Sequence, residues 1–403
     1  MKILKKLVDY GLIIILAMGV LAGLPHRVLG ETDAELKSYY ARQMQKPDYD
    51  TVKAKVLGIP FDDTQIDKPG VPRVSDFRYQ HLRLVILTGK HRGEFFTVKN
   101  TIEMINPYKL IIENGETILL RLYEDPDGNV ENLVVYERSK EIYLYGLIAL
   151  FMLLLVFIGG MKGFKSVITL LLTVVMVIFV LLPLLLRGWN PILLSTAICI
   201  SVVALTLLII NGWNQKTFTA FLGTVGGVIM AGLLALISGS ICKLSGLGNE
   251  DAQLLAYIPQ YMNFDYKGLL FAGIIIGALG AITDVTMSVA SAMWEIVQVQ
   301  SALSWKGLVK SGMNIGRDIM GSMANTLILA YVGGSIHILL LLITFNVPLL
   351  EVINMDLMAT EIVRAIAGSI GLICAIPLTA FLCGMFYKQS GKPMSVSKRA
   401  LNS

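Results

Sequence analysis

The feature that most constrains this chain is a series of apolar runs that begins at Ile142. They cover residues 142–160, 167–186, 192–210, 218–239, 268–292, 319–345 and 365–387. Each has about the ~20 residues a helix needs to cross a ~30 Å hydrocarbon layer. Inside such a layer the backbone must satisfy its own polar groups, so uninterrupted apolar runs of this length are read as helices. The expected fold class is therefore an α-helical multi-pass membrane bundle of seven spans. Composition agrees: 55% of residues are hydrophobic and 16% charged. The net charge of +5 is not a nucleic-acid signature. The basic residues stand between apolar runs, where they orient spans.

That orientation follows from their positions. Lys2, Lys5, Lys6, Lys162, Lys165, Lys216, Lys306, Lys310, Arg317, Lys388, Lys392, Lys398 and Arg399 fall on one side. Short loops on the other side hold Arg187, Lys243, Lys267 and Arg364. The positive-inside rule makes the first set cytoplasmic. Residues 31–141 are then outside and the basic tail, 388–403, inside. Trp189, Trp213 and Trp294 fall at span ends, where an amphipathic indole is favourable.

Residues 1–30 combine three early lysines with an apolar stretch from Leu12 to Leu24. This is a cleavable signal peptide or an uncleaved anchor, and the uncleaved form keeps both termini cytoplasmic. Residues 31–141 form a charged segment with period-two alternation. Val52, Ala54 and Val56 share one strand face, as do Leu82, Leu84 and Ile86. Gly89–Gly93, Asn114-Gly115 and Asp127-Gly128 supply turns. Five or six short strands make a small extracytoplasmic antiparallel barrel, with an OB-like arrangement among those allowed. His81 and His91 stand alone and are read as surface residues. Docking of an envelope protein partner suits this domain better than catalysis.

Two outer segments, 249–266 and 346–364, mix acids with apolar residues and read as amphipathic interfacial helices. The order span, amphipathic segment, span therefore occurs twice, at 218–292 and 319–387. It fits either a weak internal repeat of the transporter kind or a chance likeness of apolar segments. The cysteines Cys199, Cys242, Cys374 and Cys383 make no CxxC pair and are read as buried free thiols.

The candidate chemistry lies in two spans. Asp284, Ser288, Ser291 and Glu295 share one helix face. Asp284 is too deep to snorkel, and a carboxylate there costs roughly 2.5–3.5 kcal/mol on insertion scales. Interhelical hydrogen bonds return only ~0.6 kcal/mol on average, so a functional role is favoured over structural glue. Glu295 is secondary, because it reaches the cytoplasmic interface. Asp318, Ser322 and Asn325 share a face of the next span, with Thr326 beside them. An N-terminal carboxylate that complements the helix dipole is the plainer reading of Asp318. Antiparallel packing would bring Asn325 and Thr326 to the level of Asp284. Gly223 and Gly227 form a GxxxG that permits close helix approach. His337, alone in an apolar span, is read as a packing residue. No Walker motif, HExxH, GxSxG or CxxC occurs, so neither an enzyme, a cofactor nor a metal site is expected.

Three segments carry a family resemblance. They are Gly277–Ala292 with Thr283-Asp284, Gly316–Tyr331 with Arg317-Asp318 and Asn325-Thr326, and Glu361–Gly371 with Arg364 and Gly368. In these and over most of residues 80–387 the chain resembles the YibE/F family of bacterial multi-pass membrane proteins. Thr283 stands where an apolar residue is expected. The resemblance implies an integral protein of the bacterial cytoplasmic membrane and leaves its activity open. The expected function is a permease or exporter that moves a cation or a proton-coupled small solute past Asp284, Ser288, Ser291, Asp318, Ser322, Asn325 and Thr326. The alternative is a scaffold whose outer domain docks an envelope partner. A membrane enzyme acting on a lipid-linked substrate lacks a nucleophile.

Overall fold

The computed structural model describes residues 49–64, 77–256, 265–300 and 303–389. The expected signal or anchor, the tail beyond Gln389 and part of the first outer amphipathic segment lie outside them. The chain divides into two compact units, one holding Gly30–Leu154 and one holding Leu155–Ser403.

The first unit is built on a five-stranded antiparallel sheet. Its strands are β1 (Asp50–Asp62), β2 (Phe77–Ile86), β3 (Phe95–Glu103), β4 (Thr117–Glu124) and β5 (Val130–Arg138), in the order β3-β2-β1-β4-β5. The edge strands β3 and β5 come back into contact. The result is a near-barrel of the partly open five-stranded kind. The period-two residues set the register: Ala54 pairs with Ile86 and Ile118, and Val56 with Leu84. These side chains, with Leu82, Leu120 and Leu122, are buried on one face. Gln80 is fully buried among them. Its Nε2 donates to the Ile112 carbonyl at 3.0 Å and its Oε1 accepts from the Ile112 N–H at 2.9 Å. Asn100 Nδ2 donates to the same Oε1. His91 departs from the surface reading. It is buried, with Nδ1 3.1 Å from Glu94 and Nε2 3.1 Å from Glu124, because the Gly89–Gly93 turn folds it against β4. Lys53 of β1 is 2.6 Å from Glu141, at the start of the first helix.

That helix, α1 (Glu141–Val175), runs through a π-turn at Met176–Leu181 into α2 (Leu182–Leu186). The stretch of 46 residues would be roughly 69 Å long if straight, over twice a bilayer core. It is not straight. Gly160 has φ +54° and ψ −135°, outside helical space. A Cβ on Gly163 would run into the backbone of Leu155 and Val156. In a continuous helix those positions are more than 10 Å apart. The chain therefore turns sharply at Gly160, in the glycine-favoured region of φ.

The second unit continues with α3 (Pro191–Asn211), α4 (Gln215–Ile241), the short α5 (Glu250–Ala256), α6 (Tyr266–Val299), α7 (Trp305–Gly334), α8 (Ile336–Thr344), α9 (Leu349–Asn354) and α10 (Asp356–Gln389). Among the described residues five helices are long and apolar enough to cross a membrane, or six if α7 and α8, bent by 60°, form one broken span. Two boundaries differ from expectation. The sixth apolar run is preceded by helix from Trp305, because Ser304 caps the Gly307 N–H ahead of an amphipathic turn. In the last span, α10 begins at Asp356, so Glu361 and Arg364 lie on the long helix and not on a separate interfacial one.

The core of this unit is the packing of α4, α6 and α10. At Gly227 a Cβ would come within 2.7 Å of Ala375 Cβ and 2.8 Å of Ile282 Cγ2. At Gly371 it would come within 2.6 Å of Ala231 Cβ and 2.8 Å of the Gly227 carbonyl. Small residues thus let α4 and α10 approach backbone to backbone. Thr224 and Thr286 are buried beside this crossing, with their hydroxyl oxygens 2.7 Å apart. All four cysteines are free. Cys199 and Cys383 are buried, Cys374 is half-buried, and Cys242, expected to be buried, is exposed at the end of α4. His337 is exposed on α8 as well, so it is not a packing residue.

Candidate functional site

α6 carries a continuous outward row. Gly273, Gly277, Gly280, Asp284, Ser288 and Glu295 are all exposed, and Ser291 is half-buried. The opposite face, with Ile282, Val285, Val289 and Met293, is sealed in the core. The spacing that puts apolar residues inward leaves the small and polar ones outward. Asp284 lies near the middle of the helix. Among the described residues its carboxylate has no hydrogen-bond or ion-pair partner, and neither has Ser288. The neighbouring Thr283 and Thr286 hydroxyls turn back to the helix, donating to the carbonyls of Leu279 and Thr283.

α7 packs antiparallel beside α6. Two close approaches fix the register: the Tyr331 hydroxyl covers Gly277, and Gly312 lies against Met293. Counting inward from either contact brings Asp284 opposite the turn from Gly321 to Ala324. Asp318, Ser322, Asn325 and Thr326 are all exposed on that stretch of α7. Thr326 donates to the Ser322 carbonyl at 2.9 Å. At roughly 100° per residue, Asp318, Ser322 and Asn325 sit about 120–180° around α7 from Tyr331. The two rows therefore share a depth, but the α7 row turns away from α6, and they do not meet at one point. Asp318 lies more than three turns past Trp305, too deep for the dipole effect of a first turn. Half-buried Met320, Met323 and Ala281 pack on the core nearby. No group of three His, Cys, Asp or Glu side chains suited to a metal ion occurs among the described residues.

A second charged group stands at the amino-terminal ends of α6 and α10. Arg364 Nη1 donates to Glu361 Oε1 at 2.8 Å. Tyr331 lies within electrostatic reach of both, and its hydroxyl is buried without a hydrogen-bond partner among the described residues. Loop placement of Arg364 hid this group in the sequence. The i,i+3 spacing of Glu361 and Arg364 was the signal that could have shown it.

Long apolar helices around a tight glycine-lined core, with a polar row at mid-helix, define a helical multi-pass membrane protein. The chain belongs to the family described as YibE/F-like protein, which it matches over residues 147–389, more than half of its length. The match covers the helical unit and leaves the five-stranded sheet outside it. No curated protein and no solved structure matches the chain.

Proposed function

We propose that this chain is a permease of the bacterial cytoplasmic membrane and that the exposed polar rows of α6 and α7, at one depth, mark its transport path. The path carries a cation, or a proton coupled to a small solute. In this reading the break at Gly160 separates two crossings, the bent α7–α8 pair makes one, and seven spans place the sheet outside and the carboxyl terminus inside. One observation carries the proposal. Asp284, Ser288, Asp318, Ser322, Asn325 and Thr326 are exposed at matching depth on adjacent helices of an apolar bundle. A mid-membrane carboxylate against acyl chains costs roughly 2.5–3.5 kcal/mol. The face therefore meets water or another polar surface.

Cysteines placed at Ser288 and Ser322, in a chain lacking Cys242, should react with a membrane-impermeant thiol reagent from one or both sides. In proteoliposomes Asp284→Asn should abolish proton-coupled flux while insertion is unchanged. Failure of both cysteines to label, or undiminished flux in Asp284→Asn, removes the path from this face.

One feature favours the scaffold as a second reading. Phe61, Phe77 and Phe95 of the sheet are 50%, 44% and 66% exposed. Exposed aromatics are enriched where proteins dock. Crosslinking that yields a stoichiometric envelope partner held through these residues, with no flux activity, would establish this reading in place of the permease.

A further inference from the structure

The amino-terminal ends of α6 and α10 flank an open cleft of about 210 Å³, away from Asp284 and the α7 row. Close contacts build its walls. Ser245 Oγ donates to Asp356 Oδ2 at 2.5 Å, and the Ser245 N–H donates to Oδ1 at 3.2 Å. Gly246, at φ +80°, leaves no room for a Cβ, which would lie 2.5 Å from the Tyr266 carbonyl carbon. Gly248 is pressed against the backbone of Leu357. The loop from Ser245 to Asn249 is thus fixed to the first turns of both long helices.

The lining is of two kinds. Leu255, Leu269, Leu270 and Leu357 supply apolar surface, and Asp251, Glu361 and Arg364 supply charge. The Glu361–Arg364 pair is only 21% and 27% exposed. Two donors beside it stay unused: among the described residues Arg364 Nε and Thr360 Oγ1 are buried with no hydrogen-bond partner. They lie one turn apart on α10, on the same face. A buried donor left unpaired costs ~1–3 kcal/mol, and more when charged. An ion pair serving only to neutralise its own helix has no reason to leave its guanidinium short of an acceptor.

We propose that this cleft binds a small zwitterion with an apolar side chain, of the α-amino-acid type. Its carboxylate is held by Arg364 and Thr360, its ammonium by Glu361 and Asp251, and its side chain by the leucines. A lone anion would face two carboxylates, and a lone cation would face the guanidinium. A zwitterion matches both signs. A cleft of about 210 Å³ has room for a molecule of amino-acid size.

The test measures binding to the purified full-length protein in nanodiscs, by thermal unfolding with L-leucine, 4-methylpentanoate and isopentylamine as probes. L-leucine should raise the unfolding midpoint saturably, while the two single-charge analogues leave it unchanged. Arg364→Gln and Glu361→Gln should abolish the shift. Asp251→Asn, at an exposed position where folding is not in question, should weaken binding at least tenfold, and Asp284→Asn should leave it intact. An equal shift with 4-methylpentanoate would make this an anion site. An equal shift with isopentylamine would make it a cation site. No shift with any zwitterion from glycine to phenylalanine would leave the cleft to water. Each of these overturns the proposal. Because no flux is measured, failure here is distinct from failure of the permease reading.

Discussion

Replacing Gly227 by alanine tests the central crossing. The new methyl would stand 2.7 Å from Ala375 Cβ, 2.8 Å from Ile282 Cγ2 and 3.0 Å from the Gly371 carbonyl. Carbon atoms are comfortable at ~3.5–4.0 Å, so α4 and α10 must part by roughly 0.5–1 Å. A gap of that size forfeits about a quarter to a half of the dispersion energy along the contact. Overpacking of this kind costs about 1–3 kcal/mol. Better helix propensity returns at most ~1 kcal/mol. The expected result is a net loss of about 1–2 kcal/mol. Gly321→Ala is the control, since nothing lies within 4 Å of its Cβ position. It should stabilise by ~0.5–1 kcal/mol. Unfolding can be followed with a thiol-reactive dye that reads buried Cys199 and Cys383 in a chain carrying Cys242→Ser. Ala375→Gly in the Gly227→Ala chain should rescue non-additively, by ~0.5 kcal/mol or more. A Gly227→Ala chain as stable as its parent, or strictly additive double substitution, would refute the backbone-to-backbone approach.

Other changes test separate parts of the molecule. Gly160→Val should cost about 1–3 kcal/mol and disturb membrane insertion, because its φ of +54° with ψ −135° excludes a branched side chain; protease protection of the region around it reads the change. Gln80→Met leaves the N–H and carbonyl of Ile112 unpaired in the sheet core and should destabilise that unit by ~1–3 kcal/mol per lost partner, measured by denaturant unfolding. Glu141 is held down to about 2, first by the Lys53 side chain and then by Ser139. Its folded value lies below its unfolded one, so its contribution is present above pH ~4.5 and is lost as the pH falls through about 2. Lys53→Met should flatten that part of the stability–pH curve, as read by circular dichroism of the sheet.

The sequence reveals the parts of this protein that rest on periodicity. Alternation at Val52, Ala54 and Val56 located β1 and its inward face, and run length located the long helices. What it hides are consequences of contact. Nothing local marks Gln80 as a buried residue, because its burial depends on Asn100 and Ile112 arriving from elsewhere in the chain. His91 reads as a surface residue until the turn folds it between Glu94 and Glu124. Asp318 resembles a helix N-terminus because the apolar run begins after it, while the helix starts at Trp305 through the Ser304 cap. For the candidate site, spacing shows which residues of α6 and α7 share a face. It does not show that both faces turn outward, since that depends on which side of each helix α10 claims.

In the proposed permease the core decides where a solute can pass. Gly227, Ala231, Ala375 and Gly371 bring α4 and α10 into backbone contact, and Thr224 and Thr286 satisfy each other beside them. That region leaves no room for a solute unless the helices separate, which the dispersion estimate above makes costly. The outward face of α6 is the reverse case. Gly273 and Gly280 have open space where a Cβ would be, and Asp284 between Gly280 and Ser288 has no partner among the described residues. Gly273 also lines the cleft at the amino-terminal end of α6, and the Tyr331 hydroxyl lies over Gly277 between that cleft and the open space at Gly280. In the proposed permease, stability and solute access therefore reside on opposite faces of one helix. Widening the core with Gly227→Ala should lower the unfolding midpoint and leave thiol labelling at Ser288→Cys unchanged. Filling the open space beside Asp284 with Gly280→Leu should suppress that labelling with little loss of stability. If Gly227→Ala alters the labelling instead, the path runs through the core, and the division of labour across α6 is wrong.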